Sequence, residues 1–381
     1  MCYNNFEGDD MIYLDYSATT KTNKEVLDTF NEVSQNFIGN PNSSHKLGVE
    51  AMNLINESTE QIKKLLNIDD YEIIYTSGSS EANNLAIKGV CGRYKGKHII
   101  TTKLEHSSIY GPIATLQNEG YEVDFVNLDE FGLVDLNHLE SLITDDTVLV
   151  SIASVNSEVG VLQPISKIAK ILKKYPKLFF HCDMTQSIGK IPNDLTDVDL
   201  ISFTAHKFYG IKGIGCLVRK NNVNLKPLID GGKSTSIYRS GTPCTSLIPS
   251  LAKALRLALE NNEEKVKHIK EINEYFKNNL DSNIKINSNE YCIPHILNFS
   301  VIGVKPETFQ HALEMDDIYI STQSACSTNS APSKAVMAVT NDVTRASSSV
   351  RVSISHLTSM EDAKKAVLCI NKRYNELRLE K

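Results

Sequence analysis

The sequence predicts an α/β protein: a mainly parallel sheet covered by helices on both faces, followed by a smaller α/β domain. Through the first two thirds of the chain, short apolar strand-like runs alternate with longer stretches of helical period, the pattern left by parallel strands joined through crossover helices. A long apolar-periodic segment at 246–280 then separates this block from a second set of elements.

In chain order, the strand-like runs are IIYT at 73–76, HIITT at 98–102, EVDFVN at 122–127, TVLVSIASVN at 147–156, LFFHCDM at 178–184, LISFTAH at 200–206 and IGCLVRK at 214–220. Each has the length and β-branched or aromatic content of a buried strand. The segment at 246–280 holds the domain boundary, placed near residue 260. Beyond it HILNFSV, DIYIST and SVRVSI read as strands, with helices near 306–314 and 359–378. The expected division is residues 15–260 as the large domain, with 1–14 and 261–381 as the small one.

Composition narrows the function classes. A chain of 381 residues is long enough to bury a large core in two domains. A formal charge of −6 without a Lys/Arg-rich run gives no electrostatic footprint for nucleic acid or an anionic membrane, so the expected ligand is small. Eight cysteines lie singly along the chain without a CxxC pair or a leader segment. That argues against a disulfide framework or a structural zinc site and predicts a reducing, cytoplasmic setting. No apolar run approaches the roughly 20 residues that span a bilayer.

In open parallel sheets the ligand crevice lies beyond the carboxyl ends of the strands, so the polar residues just after the strand-like runs are the candidates. After IIYT comes SGSSE at 77–81, a small-residue turn opening a helix, where free N–H groups suit a phosphate; an N-cap by Ser79 or Ser80 is the plain alternative. His106 follows the HIITTKLE segment, and Asp183 follows LFFHC with Gln186 three residues on. Each also has an ordinary structural reading, as a rim histidine or a helix-capping aspartate. Lys207 closes LISFTAH, where burial would favour its neutral, imine-forming amine, although a lysine there can equally snorkel to water. Together the set matches what pyridoxal phosphate requires: an imine-forming lysine, an acid for the pyridine nitrogen, a ring-stacking group and a phosphate cup.

With these motifs in place, the chain resembles the cysteine desulfurases of the NifS/IscS type, in the class V aminotransferase group of fold type I pyridoxal phosphate enzymes. The resemblance runs from YLDYSATT at 13–20 to SSVRVSI at 348–354. It passes through GNPNSSH at 39–45, TSGSSEANNLAIKG at 76–89, EH at 105–106, VNSEVG at 155–160, HCDMTQSIGK at 181–190, TAHKFYGIKGIG at 204–215, RSGT at 239–242 and SACS at 324–327. It implies a seven-stranded-type sheet in the large domain. Lys207 would anchor the cofactor, Asp183 would hold the pyridine nitrogen protonated, Gln186 would bond the ring hydroxyl, and His106 would stack on the ring and move protons. Ser79, Ser80, Thr204 and His206 would line the phosphate site. Asn156 would lie near ring and substrate, as would Ser157. Thr242 would reach the phosphate of a neighbouring subunit, which implies a homodimer.

Cys326 sits in a run of small polar residues and would be the nucleophile that takes sulfur from L-cysteine as a persulfide. It would then pass the sulfur to an acceptor protein in iron–sulfur cluster assembly or tRNA thiolation, where it could contact a cluster; no intrinsic metal is expected. The other seven cysteines read as small buried hydrophobes. Arg351 would receive the substrate carboxylate, since a planar guanidinium binds it bidentately. The 25 positions from Cys326 to Arg351 match the longer-loop subgroup, whose members pass sulfur directly to proteins.

Several positions depart from the family pattern. Ser157 replaces a usual second asparagine and Ser80 a threonine. GGKSTSIYRSGT lacks a third glycine and an acidic residue, and HL at 356–357 replaces a pair containing glycine or arginine. Three readings therefore stay open: a desulfurase; a selenocysteine lyase or aminotransferase on the same fold; and a weakly active sulfur-transfer scaffold. The thiol at Cys326 separates the first from transamination, which needs none.

Overall fold

The computed structural model describes residues 11–322 and 332–379. They divide into two compact units, one formed by Thr19–Asn156 and Leu162–Asn262, the other by residues up to Ala18, Ser157–Val161 and the chain from Glu263 onward.

The first strand, β1 (Ile12–Tyr13), belongs to the smaller unit. The larger unit then contributes β2 (Tyr71–Thr76), β3 (His98–Thr101), β4 (Glu122–Phe125), β5 (Thr147–Ser151), β6 (Phe179–Asp183), β7 (Leu200–Thr204) and β8 (Gly215–Lys220). They form one seven-stranded sheet in the order β2-β8-β7-β6-β5-β3-β4. Only β8 runs against its neighbours, antiparallel to both β2 and β7. The interior strands β3, β5 and β7 are buried along their whole length, and β6 and β8 at all but one end residue, which is why they read as unbroken apolar runs instead of alternating ones. Two apolar cores cover the two faces: one includes Ile73, Phe180, Ile201, Phe203 and Leu251, the other Ile74, Leu85, Ile99, Ile113 and Leu217.

The smaller unit pairs β1 with β11 (Ile318–Tyr319), and forms a separate antiparallel sheet ordered β12-β10-β9 from β9 (Lys285–Ile286), β10 (Ile296–Ser300) and β12 (Ser349–Ser353). Its core gathers Leu14, Phe276, Phe299, Phe309, Val350 and Tyr374.

The division falls between Asn262 and Glu263, close to the boundary expected near residue 260, while two other stretches group differently from the expectation. The segment at 246–280 is two helices, Leu247–Leu259 and Asn262–Asn279, interrupted where Asn261 adopts a left-handed φ of 51° that an unbroken helix cannot accommodate. Residues 15–18 group with the smaller unit, where Asp15 bridges Ser353. So does Ser157–Val161, because Val161 bridges Cys292 and the Gly160 carbonyl accepts from the Ile293 amide at 2.9 Å. These pairings are tertiary and leave no trace in periodicity. Among the described residues no helix is long and apolar enough to cross a membrane.

Candidate active site

The candidate residues of the larger unit sit where strands of its sheet end. Ser77–Ser80 follows β2, His106 follows β3, Asn156 follows β5, Asp183 closes β6 with Gln186 just beyond, and Lys207 follows β7. In a parallel sheet those carboxyl ends share one edge, so residues spread over 130 positions of sequence come together.

The turn after β2 is built for close approach. The helix Ser79–Cys91 starts without a side-chain cap, its N-cap being Gly78, so the alternative of a Ser79 or Ser80 cap does not form and the first N–H groups stay available to an anion. Gly215 opens β8 against this turn; a Cβ there would lie 2.7 Å from Gly78 Cα and 2.7 Å from the Phe203 carbonyl oxygen. Glu81 accepts from the Ser77 amide at 2.7 Å and pairs with Arg239 at 2.9 Å. Burial raises the Glu81 pKa, but these bonds outweigh it and hold the carboxyl below its usual range. The same ion pair ties the RSGT segment to the turn, with Thr242 exposed.

Lys207 is half-buried on the 3₁₀ turn Ala205–Lys207. Thr20 clamps this turn. Its hydroxyl donates to the His206 carbonyl at 2.9 Å and accepts from the Tyr209 amide at 2.8 Å, while its own amide donates to the same carbonyl at 3.0 Å. Tyr209 takes a φ of 65°, unfavourable for a side chain with a Cβ, and the clamp holds it there. Gly210 must be glycine because a Cβ would fall 2.5 Å from Ala205 Cβ. His206 meets the Thr19 hydroxyl at 3.1 Å through Nδ1. Burial, aided by Lys207, Lys212 and Lys190, lowers its pKa to about 4, so the ring is neutral at physiological pH. Thr204, placed on the phosphate by the resemblance, donates its hydroxyl to the Ile214 carbonyl at 2.9 Å and is buried.

Asp183 and His106 belong to one buried network. Asp183 Oδ1 accepts from the Thr185 amide at 2.9 Å, and Oδ2 accepts from Asn83 Nδ2 at 2.8 Å. Asn83 Nδ2 also donates to Ser108 Oγ at 2.8 Å, and Ser108 Oγ meets His106 Nδ1 at 2.8 Å. His106 Nδ1 further accepts from the Ser108 amide at 3.2 Å as the N-cap of the helix Ser107–Asn118. The capping role and the chemical one therefore coincide, and an accepting Nδ1 leaves the ring proton on Nε2. Burial lowers the His106 pKa, with Asp183 opposing and Lys207 reinforcing the shift. Glu105 accepts from Thr102 and from the Ala153 amide; burial pushes its pKa up to about 8 against those bonds. Gln186 Oε1 accepts from buried Lys190 Nζ at 2.6 Å. A lysine can only donate, so this contact fixes the amide and turns its NH₂ donor to the other side. Asn156 Nδ2 donates to the Leu104 carbonyl at 2.7 Å.

In the smaller unit Arg351 lies on β12, 2% exposed, its Nη2 donating to Asp15 Oδ1 at 2.6 Å and its Nη1 to the Ser157 carbonyl at 2.8 Å. Cys326 lies outside the described residues. Among the other cysteines, Cys91, Cys182 and Cys216 are buried, and burial raises all three thiols. Cys244 is exposed, contrary to the expectation of a packed hydrophobe, because it falls in the loop before the helix Leu247–Leu259. No group of three or more His, Cys, Asp or Glu among the described residues is placed to hold a metal.

The site fits the needs of pyridoxal phosphate: an uncapped helix start beside a glycine cradle for the phosphate, a buried carboxylate, an oriented amide donor and a clamped lysine. The supporting residues Thr19, Thr20, Asn83, Glu105, Ser108 and Lys190 were not singled out from sequence, although most lie inside the matched motifs.

The Thr20 clamp makes a prediction. Thr20→Val should cost about 2 kcal/mol, since it leaves the Tyr209 amide without its acceptor and removes a buried donor, read as a lower denaturant midpoint with unchanged slope. Thr20→Ser should restore most of the loss. An unchanged midpoint in the valine variant would show that the clamp contributes nothing.

The pattern of the class V aminotransferases matches residues 12–365. A NifS/IcsS protein homolog of Lactobacillus delbrueckii subsp. bulgaricus is 40% identical over 374 residues, covering 96% of this chain and 97% of that protein. The cysteine desulfurase IscS of Dictyoglomus turgidum is 37% identical over 362 residues, covering 92% and 91%. Among solved structures, a NifS-like protein superposes with a TM-score of 0.89 at 32% identity, covering 97% of this chain and all of that one. SspA in complex with cysteine gives 0.78 at 30% identity, covering 91% and 100%.

Proposed function

The chain belongs to the class V aminotransferase family, within its cysteine desulfurases, and from that premise we propose that it converts L-cysteine to L-alanine with pyridoxal phosphate held at Lys207 and sulfur collected on Cys326. The observation that carries this reading is the clamped Lys207 turn at the same sheet edge as the Asp183–Asn83–Ser108–His106 network.

When bound, the cofactor supplies an electron sink that makes the substrate's Cα–H and Cβ–S bonds breakable. The chain's own groups do the rest. The Ser77–Ser80 turn and the His206 ring take the phosphate, and Asp183 supplies the charge that keeps a pyridine nitrogen protonated. Gln186, its carbonyl held by Lys190, offers an N–H to the ring hydroxyl. Lys207 takes the Cα proton as its amine is released, and His106, carrying its proton on Nε2, serves the later transfers. Arg351 receives the substrate carboxylate. The net exchange balances: an S–S bond forms on Cys326, the substrate C–S bond breaks, and the carbon gains a proton, giving L-alanine and a persulfide.

An acceptor protein then takes the sulfur, in iron–sulfur cluster assembly or tRNA thiolation. Exposed Thr242, tethered through Arg239, supports a homodimer in which it serves the neighbouring subunit. Light scattering should therefore return twice the 42.4 kDa chain mass; a fully active monomer would remove Thr242 from the site. The function itself is tested by the visible spectrum of the purified protein and by alanine release on adding L-cysteine. A colourless protein that binds no added cofactor and forms no alanine would refute it.

A further inference from the structure

We propose that Asp15 is a specificity-determining counter-ion that neutralises Arg351 before substrate arrives and weakens carboxylate binding by competing for the same guanidinium edge. The inference rests on the reading of Arg351 as the carboxylate receiver and names what sets its affinity.

Arg351 is held in the middle of β12, opposite Asn298 on β10, and its main chain exchanges hydrogen bonds with Ser321 on the other side, its amide donating at 2.7 Å and its carbonyl accepting at 3.1 Å. The strand therefore fixes where the guanidinium starts. At 2% exposure the charge has lost nearly all its water, which is costly unless an anion or several acceptors replace it. Among the described residues the guanidinium meets one carboxylate oxygen, Asp15 Oδ1 on Nη2, and one neutral acceptor, the Ser157 carbonyl on Nη1. The buried Nε has no hydrogen-bond partner among the described residues.

Geometry then decides what a ligand must do. A carboxylate binds a guanidinium best through two parallel N–H···O bonds along one edge. Nη1 is committed to a backbone carbonyl, so the edge to use is Nε with Nη2. Along that edge the buried Nε lacks a hydrogen-bond partner among the described residues, and Nη2 is held by Asp15. An incoming carboxylate must push the Asp15 oxygen aside or share Nη2 with it, and in either case two carboxylates face each other at a poorly hydrated site. Glu158, also buried, feels the Arg351 charge as well; burial raises its pKa, and Ser333 donates to it. Asp15 is the carboxylate in direct contact, with 20% exposure that leaves it room to withdraw. It therefore favours the empty state and disfavours the loaded one.

The test uses the full chain loaded with cofactor. Asp15→Asn keeps size and hydrogen bonding and removes the charge, so it should lower the KM for L-cysteine and the inhibition constant of L-alanine by about tenfold, with kcat within about twofold. Cysteamine, which lacks a carboxylate, should bind both proteins equally. Without ligand the variant should unfold at lower denaturant, and saturating L-alanine should raise its midpoint more than it raises that of the wild type. Asp15→Glu should return toward wild-type values, and Asp15→Ser provides the same comparison if the asparagine variant does not fold. A KM and inhibition constant that rise or stay unchanged would overturn the proposal and leave Asp15 a purely structural partner. Arg351→Lys separates the two levels: it should raise KM strongly. If it does not, the carboxylate reading fails and the Asp15 proposal with it; if it does while Asp15→Asn has no effect, only the proposal fails.

Discussion

Lys207→Ala should lower L-alanine formation from L-cysteine at least about a thousandfold, close to 4 kcal/mol of lost transition-state stabilisation. In the proposed function the same side chain anchors the cofactor and takes the proton, so its loss would remove two roles at once. The fold should survive, because the turn bearing Lys207 is held by main-chain groups of His206 and Tyr209 gripping Thr20, which truncation leaves in place. Borohydride should fix the cofactor to the wild-type chain and not to the variant, while pyridoxal phosphate still binds it reversibly through the phosphate turn and Asp183. A variant that still became covalently labelled on reduction would place the anchor elsewhere.

The second large effect is expected at Cys326. Cys326→Ala should bind pyridoxal phosphate as the wild type does, since Lys207, Asp183, Gln186 and the Ser77–Ser80 turn, proposed to hold the cofactor, lie in the larger unit, and L-cysteine should still perturb its spectrum. Alanine release should nevertheless fall by at least about a thousandfold, because the proposed sulfur-taking nucleophile is gone. Binding and sulfur abstraction would thereby separate into two measurable events. Undiminished alanine production would exclude the thiol from turnover and favour a selenocysteine lyase or a simple elimination.

Much of the sheet and the placement of the candidate residues could be read from sequence for one physical reason. Strands buried on both faces leave continuous apolar runs, and a parallel sheet puts its ligand groups right after them. Lys207, Asp183, Gln186 and His106 each follow such a run, and each lies at the same sheet edge in the folded unit. What could not be read is what holds them. Thr20 and His206 stand 186 positions apart, and Asn83 and Asp183 stand 100 apart; no local periodicity encodes such pairs. The same holds for Asp15, 336 positions from Arg351. Residues 157–161 fall within the stretch expected in the large domain, yet the Val161–Cys292 pairing draws them to the smaller unit. Residue type alone predicts a core thiol at Cys244, whereas the loop that carries it decides its exposure.

The central claim is that sulfur leaves L-cysteine by transfer to a thiol of this chain. The most direct measurement is a single turnover of the purified holoenzyme with L-cysteine and no acceptor, quenched with an alkylating agent and followed by peptide mass spectrometry with alanine quantified in parallel. One alanine per active chain and one extra sulfur on the peptide containing Cys326 are expected. Alanine formed in that amount with free sulfide in solution and no added sulfur on Cys326 would contradict it.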